Sequence, residues 1–223
     1  MDVLQGLDSG EKYRWEVEGL PYAVELPLVR LPADGKTLKI ASLNLVGQIR
    51  LNRDMGKLLA ARVREVVGGM DGVVMLTVVE KGLQLAQVVA EELGLEAVAV
   101  AYNRIKPHME AQRRPVIQIG ASSITSGGKF LALYERDMNL LAQGKRFILM
   151  DDVVSSGGTI FSLADILEEV ARQKGMPAPE IAGVFCAATE GEQSPLLPAP
   201  VYGLGVLPEP VVEPVSGSAV EPE

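Results

Sequence analysis

Two adjacent aspartates and a loop of small residues stand together in the segment FILMDDVVSSGGTI, residues 147–160. Asp151 and Asp152 directly follow an apolar run, and two carboxylates cannot both enter an apolar core without a large desolvation cost. We therefore expect them at a strand end, facing solvent or a polar ligand. Because carboxylates accept hydrogen bonds from vicinal hydroxyls, a sugar fits such a position.

The loop after the aspartates has the composition of a phosphate-binding turn. Its residues are Ser155, Ser156, Gly157, Gly158 and Thr159. The glycines let the backbone approach a ligand closely, and the helix predicted to follow has free N–H groups at its start that favour an anion. A Walker loop has a lysine and a spacing that are missing here, so an ordinary nucleoside triphosphatase is disfavoured. The alternative is a plain turn at a strand end of an unrelated α/β protein.

The elements that must position this segment follow from composition and periodicity. Apolar residues make up 48% of the 223 residues and aromatic residues only 4%, as in parallel strands covered by helices. Apolar runs at 73–79 and 97–102 flank an amphipathic helix at about 83–93, which predicts a βαβ unit. A second strand–turn–helix unit spans 147–174, and apolar runs at 181–188 and 201–206 complete the sheet. The predicted class is α/β, with a central, mainly parallel sheet flanked by helices.

Charge and composition narrow the class of function. The formal net charge is −8, which argues against sequence-independent binding to nucleic acid. Cys186 is the only cysteine and lies in an apolar run, so no disulfide framework is expected and a reducing compartment is favoured. The N-terminus has neither a basic start nor an apolar stretch, and no run approaches the roughly 20 apolar residues of a membrane helix. These features predict a soluble, cytoplasmic protein.

The segment 147–160 resembles the phosphoribosyl pyrophosphate signature of type I phosphoribosyltransferases: an apolar strand, two acidic residues and a Ser/Thr-Gly-Gly-Thr loop. The resemblance covers roughly residues 38–206 and points to the purine branch, which includes adenine and xanthine enzymes. It implies a phosphoribosyltransferase domain at 38–206 and a small hood made from N-terminal and C-terminal segments, with residues 1–37 as its leader. Residues 207–223 alternate Pro and Glu without an apolar face, which predicts a disordered tail.

The resemblance also implies roles for individual residues. Asp151 and Asp152 would be catalytic, orienting the ribose and stabilising its developing positive charge, while residues 155–159 would anchor the 5′-phosphate. Glu80, Lys81 and Gly82 would form the pyrophosphate-binding turn after the strand at 73–79. The alternative there is an ordinary strand-to-helix turn with a solvated ion pair.

Further candidates lie in neighbouring loops. Arg104 and Lys106 match the basic stretch that binds pyrophosphate in the purine branch, with solvated surface charge as the alternative. His108, the only histidine, is expected to be a partly buried hydrogen-bonding residue rather than a catalytic base. The loop GASSITSGGKF, residues 120–130, corresponds by its order in the chain to a lid that excludes water.

Asn44 and Glu190 are the candidates for contact with the base. An Asn can donate to and accept from a purine edge, but an Asn that bonds its own backbone in a turn is the alternative. Adenine, hypoxanthine, guanine and xanthine all remain open as the acceptor.

The implied reaction transfers the 5-phosphoribosyl group from phosphoribosyl pyrophosphate to a purine base in nucleotide salvage, with release of pyrophosphate. Mg²⁺ is the expected cofactor, held mainly by substrate oxygens and water rather than by a dedicated set of protein ligands. Family habit implies a homodimer. The alternative function is a transcriptional regulator that senses phosphoribosyl pyrophosphate without catalysis, and the acidic charge of the chain disfavours that reading.

Overall fold

The computed structural model describes residues 8–33, 36–104, 117–119 and 130–213. The chain divides into two compact units. The first combines residues 1–43 with residues 207–223, and the second is Asn44–Val206. Within the described residues, no helix is long and apolar enough to cross a membrane.

The first unit is an antiparallel sheet that joins both ends of the chain. Its strands are β1 (Asp8–Trp15), β2 (Val24–Ala33), β3 (Lys36–Ala41) and β11 (Val211–Glu213), in the spatial order β1-β2-β3-β11. Arg30 Nε lies 2.7 Å from Glu213 Oε2, and Lys39 Nζ lies 2.9 Å from Glu11 Oε2 and 3.5 Å from Glu213 Oε1. These ion pairs link all four strands.

The C-terminal strand corrects the disorder predicted for the tail at residues 207–213. Val211–Glu213 pairs with β3, and Leu207 is buried. The two valines follow a proline-rich stretch, and they form too short an apolar run to predict a strand from sequence. The strand forms because the edge of β3 offers unpaired backbone N–H and C=O groups with which these residues pair. The predicted domain boundary between residues 37 and 38 falls inside β3, and the division between the units comes after Leu43. Residues 214–223 lie outside the described residues.

The second unit contains the remaining helices and strands. In chain order they are α1 (Ile49–Val67), β4 (Val73–Val78), α2 (Leu83–Leu93), β5 (Ala99–Ala101), β6 (Ile117–Ile119), β7 (Leu131–Leu133), α3 (Glu135–Leu141), β8 (Arg146–Val154), α4 (Gly158–Lys174), β9 (Glu180–Glu190) and β10 (Val201–Leu207). A five-stranded sheet has the order β10-β9-β8-β4-β5, and β5, β4, β8 and β9 run parallel. The short strands β6 and β7 pair antiparallel.

This arrangement confirms the predicted α/β class with a mainly parallel sheet. Every residue of β4 is buried, as expected for a central strand with helices on both faces. The apolar residues that recur at the helical period along α4 are all buried in the core: Ile160, Leu163, Ile166, Leu167 and Val170. The apolar periodicity of the sequence is therefore satisfied by packing on the sheet.

A side chain from α3 accepts a hydrogen bond from the backbone of the edge strand β5. The backbone N–H of Val100 donates to Oδ1 of Asp137 at 3.1 Å, and Asp137 is 2% exposed. Arg136 also donates to this carboxylate. A carboxylate from α3 thus satisfies a backbone donor at the edge of the sheet.

Candidate functional site

Asp151 and Asp152 lie near the carboxyl end of β8, between β4 and β9. The strand does not stop before them: Asp151 pairs with Cys186 and Val154 with Thr189 on β9. The backbone N–H of Asp152 donates to Oδ1 of Asp151 at 2.8 Å. Asp151 is only 4% exposed and Asp152 is half-buried, yet both line a cavity. They therefore face a pocket suited to a polar ligand.

The cavity has a volume of about 200 Å³. It is lined by Glu80, Asp151, Asp152, Val153, Val154, Ser155, Ser156, Gly157, Gly158, Thr159 and Ile160. The structure thus brings the predicted catalytic pair, the predicted phosphate loop and one residue of the predicted pyrophosphate turn to the same surface. The pocket lies outside the carboxyl ends of parallel strands, where ligands bind in open α/β sheets.

Acidic groups are concentrated in this cavity. Burial raises the pKa of Asp151 well above its usual range, and the charge and hydrogen bond of Asp152 raise it further. The charge of Glu80 acts in the same direction. A cation or a ligand rich in hydroxyl donors would relieve this repulsion and favour the ionised carboxylates.

The loop at 155–159 leads directly into α4. Gly157 is the N-cap of that helix and has φ +85°, a left-handed conformation that favours glycine. Because Gly157 has no side chain to accept from the first N–H groups of α4, those donors remain available at the cavity. A phosphate is the natural ligand of such a helix start.

A close backbone approach joins the turn at 80–82 to the aspartates. A β-carbon placed on Gly82 would lie 2.7 Å from the backbone N of Asp152 and 3.0 Å from the carbonyl carbon of Asp151. Only glycine fits this position without displacing β8. The sequence predicts Gly82 as a ligand-binding residue, but its role in spacing the two segments could be seen only in the structure.

The remaining candidates for pyrophosphate binding are not among the described residues that line the cavity. Lys81 and Arg104 are exposed and do not line the cavity. Lys106, His108 and residues 120–129 of the predicted lid lie outside the described residues. Pyrophosphate binding by these residues stays a prediction.

Neither of the two candidates for base contact lines the cavity. The backbone N–H of Val46 donates to Oδ1 of Asn44 at 3.1 Å, which is the turn geometry given above as the alternative for this residue. Glu190 ends β9, directly after the residue paired with Val154, and burial raises its pKa. The base-binding role of each remains a prediction.

Two residues that the sequence did not place in the site lie next to it in the sheet. Thr77 Oγ1 donates to the carbonyl oxygen of Met150 at 2.9 Å, which ties β4 to β8 just before Asp151. The signal was a single hydroxyl in the otherwise apolar run VVMLTVV. Cys186 is fully buried beside Asp151, and burial raises the pKa of its thiol to about 12.

Comparison with known proteins yields one family match. A sequence model of the phosphoribosyl transferase domain matches residues 47–182, which is more than half of the chain and includes all the residues that line the cavity.

The fold is shared with a solved structure. The crystal structure of an adenine phosphoribosyltransferase is 15% identical and aligns over 79% of this chain and 94% of its own, with a TM-score of 0.51. Adenine phosphoribosyltransferase from Thermoanaerobacter pseudethanolicus is 13% identical, with coverage of 82% and 95% and a TM-score of 0.46. At 15% identity the likeness to the first of these structures concerns the fold alone.

Among curated proteins, the chain is similar to ribose-phosphate pyrophosphokinases of two archaea. The Pyrococcus furiosus protein is 29% identical over 140 residues, which cover 58% of this chain and 42% of that protein. The Thermococcus kodakarensis protein is 27% identical over 169 residues, with coverage of 71% and 50%. The chain thus spans about half the length of these relatives.

Proposed function

Because the chain belongs to the phosphoribosyl transferase domain family, we propose that it transfers the 5-phosphoribosyl group of phosphoribosyl pyrophosphate to a purine base and releases pyrophosphate. The observation that carries this proposal is the cavity in which Asp151 and Asp152 stand beside the start of α4. A purine acceptor agrees with the sequence segments around Arg104 and Asn44 and with the name of the adenine phosphoribosyltransferase that shares the fold.

The donor would be bound at two ends. The N–H groups at the start of α4 donate to the 5′-phosphate, and the carboxylates of Asp151 and Asp152 accept hydrogen bonds from the ribose hydroxyls. The glycosyl bond from C1 to pyrophosphate breaks with its electron pair leaving on oxygen, and a ring nitrogen of the base supplies the pair for the new bond. The proton of that nitrogen passes to solvent.

The carboxylates also act on the reaction itself. Positive charge develops on the ribose as pyrophosphate departs, and two fixed carboxylates beside it stabilise that charge. Because the loop and β8 already hold these groups in place, little reorganisation is needed during the reaction. Gly82 allows the turn at 80–82 to approach β8, so that the pyrophosphate side of the donor lies next to the ribose side.

Mg²⁺ is the proposed cofactor, and the donor set fits it, since carboxylate oxygens are hard ligands. The repulsion that raises the pKa of Asp151 also favours a cation at this cavity. Glu80 and Asp152 would hold the ion through water, with substrate oxygens as its main ligands. When bound, the ion neutralises charge on the leaving pyrophosphate.

The test is pyrophosphate release from phosphoribosyl pyrophosphate and Mg²⁺ with adenine, hypoxanthine, guanine or xanthine in turn. We expect release that depends on one or more bases and falls by about 100-fold or more in Asp151→Asn/Asp152→Asn, as when charge stabilisation of a transition state is removed. Asp71→Asn, at an exposed turn residue, is the matched control and should keep full activity. Donor binding by calorimetry without turnover on any base would favour a sensor over an enzyme.

The similarity to ribose-phosphate pyrophosphokinases supports a second candidate function. In that reading the same cavity would bind ribose 5-phosphate, and the chain would form phosphoribosyl pyrophosphate from ATP. The assay combines ATP, ribose 5-phosphate and Mg²⁺ and measures AMP. Formation of AMP in this mixture, together with no base-dependent pyrophosphate release, would replace the first proposal with the second.

A further inference from the structure

A proline-rich segment reaches the back of the predicted phosphate loop. Residues 191–200 connect β9 to β10 and contain Pro195, Pro198 and Pro200. Leu197 lies in the middle of this segment and packs against the hydrophobic core, and its backbone N–H donates to the carbonyl oxygen of Ser194 at 3.2 Å. The prolines restrict the backbone and thereby hold Leu197 in place.

Leu197 occupies the space beside the glycine on which the loop turns. A β-carbon placed on Gly157 would lie 2.5 Å from Cδ2 of Leu197 and 3.3 Å from its Cγ. The side chain of Leu197 therefore lies against the bare Cα of Gly157. Gly157 needs to be glycine both for its left-handed backbone and for this contact.

The contact bears on binding because Gly157 sets the direction of the N–H groups that follow it. A glycine in a loop of small residues has wide backbone freedom, and a change in the conformation of Gly157 would change the direction of those donors. A leucine packed on the glycine removes part of that freedom before a ligand arrives. Because the loop is already ordered, binding costs less conformational entropy, and the affinity for the ligand is higher.

We propose that Leu197 is a positioning residue for the 5′-phosphate subsite, which it pre-organises by packing on Gly157. This inference rests on the proposed function, because it takes the loop at 155–159 to be the phosphate site. Leu197 touches neither the substrate nor the reacting atoms in this scheme. Its truncation should therefore affect binding of the phosphate end of the donor more than the chemical step.

The neighbouring residue provides a matched control. Leu196 is 80% exposed, so Leu196→Ala removes the same atoms one position away without touching Gly157. Leu197→Met keeps an apolar side chain of similar volume and should retain the contact. Together these variants separate a general effect of shortening a leucine in this segment from the specific effect on the loop.

The probe is ribose 5-phosphate, whose binding is measured by calorimetry on the full chain without any need for turnover. For Leu197→Ala we expect about 5-fold or greater weakening, about the size of a lost pre-organising contact. The KM for phosphoribosyl pyrophosphate should rise in parallel, while kcat at saturating donor stays within about 2-fold. Leu196→Ala and Leu197→Met should bind like the natural chain.

A lower melting temperature of Leu197→Ala with unchanged affinity for ribose 5-phosphate would overturn the inference and leave the proposed function standing. If the natural chain does not bind ribose 5-phosphate, the inference fails, whereas the proposed function is decided separately by base-dependent pyrophosphate release. Should Leu197→Ala be unfolded at the assay temperature, Leu197→Val, which removes a single methylene, replaces it under the same criteria.

Discussion

At the scale of single residues, Asp151 illustrates a conflict between binding and stability. Its carboxyl group is buried beside Asp152 and near Glu80, and burial with this like charge raises its pKa. Buried groups with perturbed pKa values are typical of functional sites, since folding alone would not select them. The ionised carboxylate therefore lowers the stability of the folded protein until a ligand or a cation compensates its charge.

We predict that Asp151→Asn makes the ligand-free chain more stable, by an amount that depends on pH. Above the unfolded-state pKa of about 3.9, the unfolded chain loses its proton while the folded state keeps it up to the raised pKa. The folded natural chain therefore loses stability as pH rises through this window, whereas asparagine does not titrate. The gain should be absent near pH 4 and reach about 1–3 kcal/mol at higher pH, the usual cost of an uncompensated buried polar group.

Thermal unfolding of both chains between pH 4 and 9, without Mg²⁺ or substrate, measures this difference. Asp71→Asn, at an exposed position, should follow the natural chain at every pH. A difference between Asp151→Asn and the natural chain that is the same at all pH values would contradict the electrostatic explanation.

At the scale of elements, the turn after β4 is fitted to β8 through Gly82. We predict that Gly82→Ala destabilises the fold by about 1–3 kcal/mol, as overpacking does, because the new methyl group meets backbone that cannot swing aside. The shift of β8 should also lower phosphoribosyl transfer at least tenfold, as small misplacements of reacting groups do. Urea unfolding and the pyrophosphate assay measure the two effects.

Gly69→Ala is the control for that substitution. A β-carbon on Gly69 meets no atom within 4 Å, and its φ is not in the left-handed region. Its stability should therefore be unchanged or slightly higher. Equal effects of the two substitutions would show that the approach of Gly82 to β8 is not a constraint.

The edge of the sheet at β5 provides another prediction. Asp137→Ala leaves the half-buried backbone N–H of Val100 without its acceptor and should cost about 1 kcal/mol of unfolding free energy, the lower end of the usual range for a lost acceptor. Asp137→Asn keeps an oxygen that can accept this bond and should cost less. Urea denaturation ranks the three chains, and an equal loss for both variants would assign the effect to the lost charge next to Arg136 instead.

Much of this element structure could be predicted from the sequence. The strands β4, β8 and β9 and the buried face of α4 follow apolar runs and a helical period that leave little choice of fold class. The continuation of β8 through Asp151 and up to Val154 could not be predicted, because charged residues end the apolar pattern while the pairing with β9 goes on. Likewise, the contact of Gly82 with β8 and that of Leu197 with Gly157 join residues far apart in sequence, and no local pattern records them.

At the scale of the whole molecule, the C-terminal strand closes the sheet of the first unit. Ending the chain at Pro210 removes β11 and the carboxylate of Glu213, which accepts from Arg30. We predict faster hydrogen exchange of the backbone amides of Lys36–Ala41, because that strand becomes an edge open to water. Exchange within β8 should not change.

A chain that ends at Glu213 is the control, since it keeps β11 and the ion pairs. It should match the full chain in the exchange of β3. If the chain ending at Pro210 also matches it, the pairing of β11 with β3 contributes nothing to the protection of this sheet. The homodimer and the cytoplasmic location of the protein stay predictions.

The burial of Cys186 has a practical consequence for all these experiments. The chain contains one cysteine, fully enclosed between strands, and its pKa of about 12 keeps it as an unreactive thiol at neutral pH. A cysteine introduced at an exposed position, such as Glu96→Cys, would then be the sole target of a maleimide dye on the folded protein. Fluorescent reporters can therefore be attached site by site on the natural background, without first removing the native cysteine.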